Sequence, residues 1–430
     1  MRLFPSMLTA AAVLLPASQA FALQPLEDFL ASAHAKNPDS LTAEASVKQR
    51  EAEAAQGRGR LLPSFTARGT YTRNQYEAVA NFQGVSLTII PQDQLDAFFI
   101  LDVPLLDLAQ WARYGGQKVA AQAAEANQAV TRRTLDERVI RAYNTFAVTA
   151  GLVETAKKSI DVAEKNRVSV EDRVAAAVAT ELDKERAIAN VERAKQDLAD
   201  AELSQNLAAR ALLSLTRLTP SAVTGFPEDD LHPEGPLAQW IGEASDKLPE
   251  RRLADANRRL AEAQHDAAKM AFVPVLSAQA QERLTNATGF TGRVASYTLT
   301  ANATFRFDFG LIPAMDAQRA SAQAAVAGAD AVRQNTEDAI AEAWYRVGAG
   351  IAKARAARAQ AKAAEHAAQI AQERYAAGAS TQLDVTQAQR DSFSANVARA
   401  QADLDLTVSR YVLRLASGKP LPSRSSGESR

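Results

Sequence analysis

The sequence predicts a membrane protein of the α+β class, made of two tandem repeats that each join a β-hairpin to a pair of very long helices. Three observations support this fold. The two halves of the chain align at nearly constant spacing, two segments in each half alternate between apolar and polar residues, and most of the remainder is alanine-rich. Abundant Ala, Gln, Glu, Arg and Leu are typical of long helices that meet along narrow seams.

The composition excludes several classes of protein. Hydrophobic residues make up 47% of the chain but aromatic residues only 6%, so the large side chains of a globular core are scarce. The 49 basic and 50 acidic residues nearly cancel, which excludes nucleic-acid binding through bulk positive charge. The chain has no cysteine, so disulfides, thiolate catalysis and a lipid-modified N-terminal cysteine are excluded as well.

Residues 1–22 have the pattern of a secretory signal peptide. Arg2 precedes an apolar stretch from Met7 to Leu15, and Ala20-Phe21-Ala22 matches a small-x-small cleavage site. The alternative is a buried N-terminal helix. Beyond residue 22 no uninterrupted apolar run reaches the length of about 18 residues that a membrane-spanning helix requires. We therefore expect an exported chain that begins at Leu23 and has no spanning helix.

The duplication is visible in matched motifs. Leu61-Leu62-Pro63 and Phe272-Val273-Pro274 lie 211 residues apart, whereas Leu106-Asp107-Leu108 and Phe307-Asp308-Phe309 lie 201 apart. The change in spacing places ten extra residues in the first repeat, between Pro63 and Leu106. We assign repeat 1 to residues 23–218, a linker to 219–236, repeat 2 to 237–418 and a disordered C-terminal tail to 419–430.

Each repeat is predicted to begin with two helices separated by an X-Pro step, at Asn37-Pro38 and at Leu248-Pro249. The residue before a proline disfavours the helical conformation, so the first helix ends there. In repeat 1 we expect Asp39 or Ser40 to cap the second helix, which should end near Gly57.

The helical period then gives way to a period of two, which predicts a hairpin at about 63–107 and another at about 274–309. Strands about ten residues long with one apolar and one polar face fit an outer-membrane β-barrel with a wet lumen. A soluble sheet with one face on a core is the alternative. We expect Phe99, Leu101, Leu299 and Phe305 to face lipid, and Thr300, Asn302, Arg306 and Asp308 to face the lumen.

A very long helix follows each hairpin, from about Ala109 to Ala175 and, after Pro313, from about Ala314 to Ala376. At 1.5 Å per residue each would span roughly 100 Å. Turns near 176–180 and 377–381 lead into return helices that end near 216 and 417. The first return helix carries small apolar residues at four-three spacing, which is typical of a coiled-coil seam.

Four strands per chain are too few to close a barrel. Open sheet edges do not persist in lipid, and barrels made by one chain have at least eight strands. Three chains would supply twelve strands, and cyclic threefold symmetry is the economical way to close them. We therefore predict a homotrimer whose 12-stranded outer-membrane β-barrel continues into a long periplasmic α-helical barrel.

With these features the sequence resembles the TolC family of outer-membrane efflux proteins. The resemblance covers nearly all of the mature chain and rests on the duplication, the two proline-containing strand entries, the Phe307-Asp308-Phe309-Gly310 exit and the segment from Tyr375 to Val385. It implies a duct of a tripartite efflux pump or a type I secretion system, which passes drugs, toxic solutes or proteins outward. The implied partners are a periplasmic adaptor (membrane fusion) protein and an inner-membrane pump.

The resemblance also implies a gate at the periplasmic helix tips. Asp183, Tyr375 and Asp384 match gate positions of the family. Ser380 and Gln387 stand where the family can carry an Arg and a second Asp, so the ionic part of the gate is altered. Ala177 stands where the family often has the tip glycine, which implies a less tight first turn.

A local interpretation of the same carboxylates remains open. Thr180-x-x-Asp183 and Thr381-x-x-Asp384 each have the spacing of a capping box, which would only start the return helix.

The sequence contains no catalytic or metal-binding motif. The four histidines are scattered without metal-ligand spacing, and Gly57-Arg58-Gly59 lacks the third glycine of a dinucleotide loop. We expect no enzymatic activity, no cofactor and no nucleic-acid partner. The main alternative to an outer-membrane channel is a soluble periplasmic coiled-coil adaptor or structural protein, which would lack the alternating strands.

Overall fold

The computed structural model describes residues 23–82, 84–221, 229–244 and 248–421. The predicted signal peptide, much of the linker and residues 422–430 of the predicted tail lie outside these ranges. Within them, no helix is both long and apolar enough to cross a membrane.

The two halves of the chain follow the same order of elements. The first holds α1 (Leu26–Lys36), α2 (Pro38–Gly59), β1 (Ser64–Arg73), β2 (Ala78–Phe82), β3 (Val85–Ile90), β4 (Asp93–Leu106), α3 (Leu108–Ala175) and α4 (Glu181–Thr216). The second holds α5 (Leu237–Glu243), α6 (Pro249–Met270), β5 (Val275–Thr285), β6 (Ala295–Thr304), α7 (Leu311–Ala376) and α8 (Gln382–Ser417). The predicted pairs of long helices are confirmed, at 68 and 36 residues in the first half and 66 and 36 in the second.

Helix starts differ in detail from the prediction. Neither Asp39 nor Ser40 caps α2; Asn37 does, because its side chain accepts a hydrogen bond from the Asp39 amide at 2.9 Å. Helix α2 continues two residues past Gly57. Helix α7 begins at Leu311, so Pro313 lies in its first turn, where a missing amide hydrogen breaks no helical hydrogen bond.

Four strands form one antiparallel sheet in the order β1-β4-β5-β6. The hairpin β2–β3 forms a separate two-stranded sheet within the segment where the spacing predicted ten extra residues; the residue pattern did not predict these two strands. Strands β1 and β6 are the edges of the large sheet, and each has one side without a partner among the described residues.

The short first helix of each half packs on the long helices through a large aromatic residue. Phe29 of α1 is fully buried among Leu135, Tyr143 and Leu212. Trp240 of α5, which is 211 residues further on, is buried among Ile340, Leu413 and their neighbours. The duplicated spacing therefore corresponds to duplicated packing.

Candidate functional site: the sheet faces and the helix tips

The sheet register assigns each strand residue to one of two faces. Leu101 pairs with Phe65 and with Ala280, and Ala280 pairs in turn with Leu299. Because directly paired residues point to the same side, these residues share one face with Phe99, and we call it the apolar sheet face. Leu299 is 72% exposed and Phe99 is 40% exposed within the single chain.

The opposite side, the polar sheet face, includes Thr300 and Asn302. Thr300 pairs with Gln279, which pairs with Asp102, and the Gln279 amide donates a hydrogen bond of 2.8 Å to the Asp102 carboxylate. The predicted separation of Phe99, Leu101 and Leu299 from Thr300 and Asn302 thus matches the register. Which face meets lipid stays a prediction.

Three predicted strand residues lie outside the sheet. Strand β6 ends at Thr304, so Phe305, Arg306 and Asp308 have no strand position and strand alternation assigns them no face. Their predicted exposure to lipid or lumen stays a prediction. The Asp308 carboxylate accepts a hydrogen bond of 2.8 Å from the Gly310 amide at the start of α7. Asp107 directly follows β4 and is the N-cap of α3, where its side chain accepts a hydrogen bond of 2.8 Å from the Gln110 amide. Asp308 instead precedes Gly310, the N-cap of α7, and its bond lies in the turn before the helix.

Two features of the sheet were missed. Glu282 lies on the apolar sheet face, where it pairs directly with Phe99 of β4 and Tyr297 of β6. Phe98 lies on the polar sheet face, with the guanidinium carbons of Arg68 and Arg283 at 5.0 and 5.6 Å from its ring centroid. A strict alternation of apolar and polar residues could not predict either position.

At the other end of the long helices, both tips make the same tight turn. Ala177 has φ of 57° and Gly378 has φ of 77°. In each turn the following amide bonds back to an arginine carbonyl, at 2.8 Å for Val178 to Arg173 and 2.7 Å for Ala379 to Arg374. The expectation of a less tight first turn was wrong, because Ala177 adopts the left-handed conformation that usually selects glycine.

Both return helices begin with a complete capping box. The Thr180 side chain accepts from the Asp183 amide while Asp183 accepts from the Thr180 amide, and Thr381 and Asp384 repeat the pattern. Hydrogen bonds from the Thr381 backbone and hydroxyl hold the pKa of the Asp384 carboxyl below its usual range. These bonds show that both carboxylates cap their helices. Whether they also gate the tube stays a prediction.

Tyr375 occupies the point where the four long helices converge. Its ring packs against Val170, Ala187 and Val385, which come from α3, α4 and α8. Burial raises the pKa of the Tyr375 hydroxyl; Arg173 lowers it and nearby Asp183 raises it further. The structure therefore brings Asp183 and Tyr375 close together and leaves Asp384 on the exposed side of the tip.

Arg173 is the tip residue that the sequence did not reveal. Its guanidinium lies 4.6 Å from the centroid of the Tyr375 ring and donates a hydrogen bond of 2.6 Å to the Tyr375 carbonyl. One side chain of α3 thus fastens the end of α7. Among the described residues the Tyr375 hydroxyl has no hydrogen-bond partner, and no cluster of carboxylates and histidines suited to a metal ion is found in the same ranges.

Comparisons with known proteins agree with this architecture. The family model for outer membrane efflux proteins matches residues 29–216 and 240–419. Among solved structures, a membrane protein from Pseudomonas aeruginosa is 20% identical, with a TM-score of 0.79 over 95% of this chain and 99% of that one.

Two further structures show the same fold. The outer membrane protein VceC from Vibrio cholerae is 18% identical, with a TM-score of 0.75 over 92% of this chain and 96% of that one. The CmeC outer membrane channel from Campylobacter jejuni is 17% identical, with a TM-score of 0.78 over 96% and 93%. No curated protein sequence matches the chain.

The family match covers both repeats and both long-helix pairs, and these are the elements that carry the sheet and the tips. Proteins of this family are channels and not enzymes, and they extend from the outer membrane into the periplasm. The chain belongs to the outer membrane efflux protein family.

Proposed function

We propose that three copies of this chain form the outer-membrane duct of a tripartite efflux pump or a type I secretion system. The observation that carries this proposal is the four-stranded sheet with two unpaired edges and one exposed apolar face. Unpaired backbone groups at a sheet edge are costly in lipid, so a sheet of this kind in the outer membrane requires partners at both edges. Three copies supply twelve strands, enough for a water-filled lumen.

The long helices would continue the tube through the periplasm. Their length, roughly 100 Å, is suited to reaching an inner-membrane transporter and a periplasmic adaptor protein. The cargo would be small molecules or proteins handed over by that transporter. A soluble periplasmic adaptor would not need strands with an exposed apolar face such as the one around Leu299.

The assembly state tests this proposal directly. Protein extracted from outer membranes with detergent should have a mass close to three chains. A stable monomer or dimer that inserts into bilayers would contradict the trimer. Co-expression with candidate inner-membrane transporters, followed by co-purification, would identify the pump that it serves.

We further propose that Asp183, Tyr375 and Asp384 take part in a periplasmic gate. Support comes from their place at the tips and from the Arg173 contact, which ties the hairpin of α3 and α4 to that of α7 and α8. In a trimer Asp384 would recur three times around the axis and attract cations. Capping and gating are compatible, because a capping box uses the carboxylate locally while its charge acts at longer range.

A further inference from the structure

The polar sheet face carries one aromatic residue between two arginines. Arg68 of β1, Phe98 of β4 and Arg283 of β5 are directly paired across three adjacent strands. Both guanidinium groups lie within 6 Å of the Phe98 ring centroid, the range in which a cation is attracted to an aromatic ring. The ring therefore holds two cations side by side on a face that is otherwise mostly neutral.

The two arginines differ in charge compensation. Arg283 lies 2.8 Å from the Asp96 carboxylate, which neutralises it. Arg68 makes no ion pair with any described residue, and its side chain is exposed. The other carboxylate on this face, Asp102, lies four residues along β4, on the order of 13 Å away. That distance exceeds the screening length of about 8 Å at physiological ionic strength, so Asp102 compensates Arg68 little. Asp96 is diagonal to both arginines, and its single charge leaves the group of Arg68, Arg283 and Asp96 at a net charge of +1.

Assembly would not neutralise Arg68 either. Under the proposed function, β1 of one chain pairs with β6 of the next. The β6 residues on the polar sheet face are all neutral: Ser296, Thr298, Thr300, Asn302 and Thr304. Thus the neighbouring strand brings no carboxylate to this face, and the positive charge of Arg68 recurs three times around the lumen.

We propose that Arg68, held by Phe98 beside Arg283, forms an anion-binding station in the lumen of the barrel, suited to carboxylates. A guanidinium presents a rigid fork of donors that matches a carboxylate, and a ring of arginines that lines a pore attracts anions. Cargo molecules or ions that carry a carboxylate would bind transiently at Arg68 before they leave the barrel. This inference rests on the proposed duct and adds the charge preference of its outer section.

The test is the reversal potential of the full-length trimer in planar bilayers under a potassium chloride gradient, repeated with potassium benzoate as the carboxylate probe. Reversal potential reports selectivity independently of how many channels are open. Arg68→Gln should lower the anion-to-cation permeability ratio about fourfold or more, because a unit charge about 10 Å from the ion path in water changes the anion and cation permeabilities about twofold each, in opposite directions. Arg68→Lys, which keeps the charge, should retain the chloride ratio and lose part of the preference for benzoate.

Glu282→Gln is the matched control, because it removes one charge next to Arg283 on the opposite face. It should leave the ratio unchanged. Unchanged selectivity in Arg68→Gln, with normal current, would overturn the station but not the duct. A shift in Glu282→Gln without one in Arg68→Gln would show that the apolar sheet face lines the lumen. A wild-type trimer that carries no current would overturn the duct itself and the station with it.

Discussion

The two repeats share most of their elements, but they contact different parts of the linker. Gln24 of repeat 1 hydrogen-bonds Thr219 and Ser221 at the start of the linker, whereas residues from Asp229 onward contact repeat 2. Arg358 and Asp403 in repeat 2 form a pair at 2.7 Å in which Asp403 is 3% exposed. Their counterparts 201 residues earlier are Lys157 and Glu202, both exposed, and Lys157 pairs instead with Glu154 on its own helix. The same two positions are thus a buried pair in one repeat and solvated surface in the other.

The linker accounts for the difference. Arg358 also donates a hydrogen bond of 2.8 Å to the Asp229 carbonyl. Arg410, whose counterpart is Ala209, contacts the carboxylates of Asp229 and Asp230 at 2.9 and 2.8 Å. A duplicated chain must still connect its copies, and residues 229–236 lie against α8. The repeats therefore diverged in charge and burial where one of them acquired this extra layer.

The largest expected effect follows from that buried pair. Asp403→Ala would remove the carboxylate that pairs with Arg358, whose side chain is 20% exposed, and loss of one partner of a buried ion pair costs about 3 to 5 kcal/mol. Glu202→Ala, the matched change in repeat 1, should alter stability by no more than about 0.5 kcal/mol. Thermal unfolding of the detergent-solubilised protein would compare them. Equal shifts in unfolding temperature for Asp403→Ala and Glu202→Ala would mean that the ion pair of repeat 2 contributes no more stability than the exposed residues of repeat 1.

The second expected effect compares β4 with β6. By spacing, Phe98 is the counterpart of Leu299, yet the two lie on opposite sheet faces. One extra residue of β4 between Pro104 and Leu106 shifts the register and reverses the alternation. Leu299→Arg should therefore destabilise the assembled protein by roughly 2 to 4 kcal/mol near the bilayer midplane. Phe98→Arg and Thr300→Arg should mainly change conductance.

Heat resistance of the proposed trimer in detergent and single-channel conductance measure these two outcomes separately. If Leu299→Arg and Thr300→Arg impair assembly equally, the register is wrong, since a slip of one residue exchanges the faces.

These comparisons show which features the sequence can predict. The starts of α4 and α8 were predictable because a capping box is local and both of its members are visible three residues apart. The bulge in β4 was not predictable, because a bulge is defined only by the pairing of β4 with β5. Pro104 by itself indicates the end of a strand as readily as a bulge within one. The burial of Arg358 and Asp403 depends on a linker 129 and 174 residues away. In the sequence, Arg173 is an ordinary basic residue in the last turn of a helix. Only the folded structure brings it into contact with Tyr375.

The third expected effect concerns the two tip turns. Gly378 adopts a left-handed conformation at no steric cost, and a Cβ there would meet no other atom within 4 Å. Gly378→Ala should therefore destabilise the tip only through backbone strain, by about 1 kcal/mol. Ala177→Gly removes the same strain and should be neutral or stabilising by up to about 1 kcal/mol. Hydrogen exchange of the tip amides would detect both, and effects of the same sign would refute the equivalence of the turns.

The smallest expected change in stability tests the gate. Tyr375 has Val174 as its counterpart in repeat 1, so any gating hydroxyl belongs to the second tip only. Since the Tyr375 hydroxyl has no hydrogen-bond partner among the described residues, Tyr375→Phe should leave the unfolding temperature nearly unchanged. If the gate proposal is correct, Tyr375→Phe and Asp384→Ala should both raise single-channel conductance and antibiotic leakage.

Thr381→Ala serves as the control for capping, because it removes the Thr381 hydroxyl from the capping box and keeps the Asp384 carboxylate. Asp183 is itself a proposed gate residue, so under the gate proposal Asp183→Ala should also raise conductance. Should the carboxylates act only as caps, Asp183→Ala and Asp384→Ala would loosen their own tips equally while conductance stays at the wild-type value. Conductance that is unchanged in the Tyr375→Phe, Asp384→Ala double variant would reject gating by these residues. An increase in conductance confined to the variants of the second tip would show that the two tips differ in function. Both would start a helix, but only the second would close the tube.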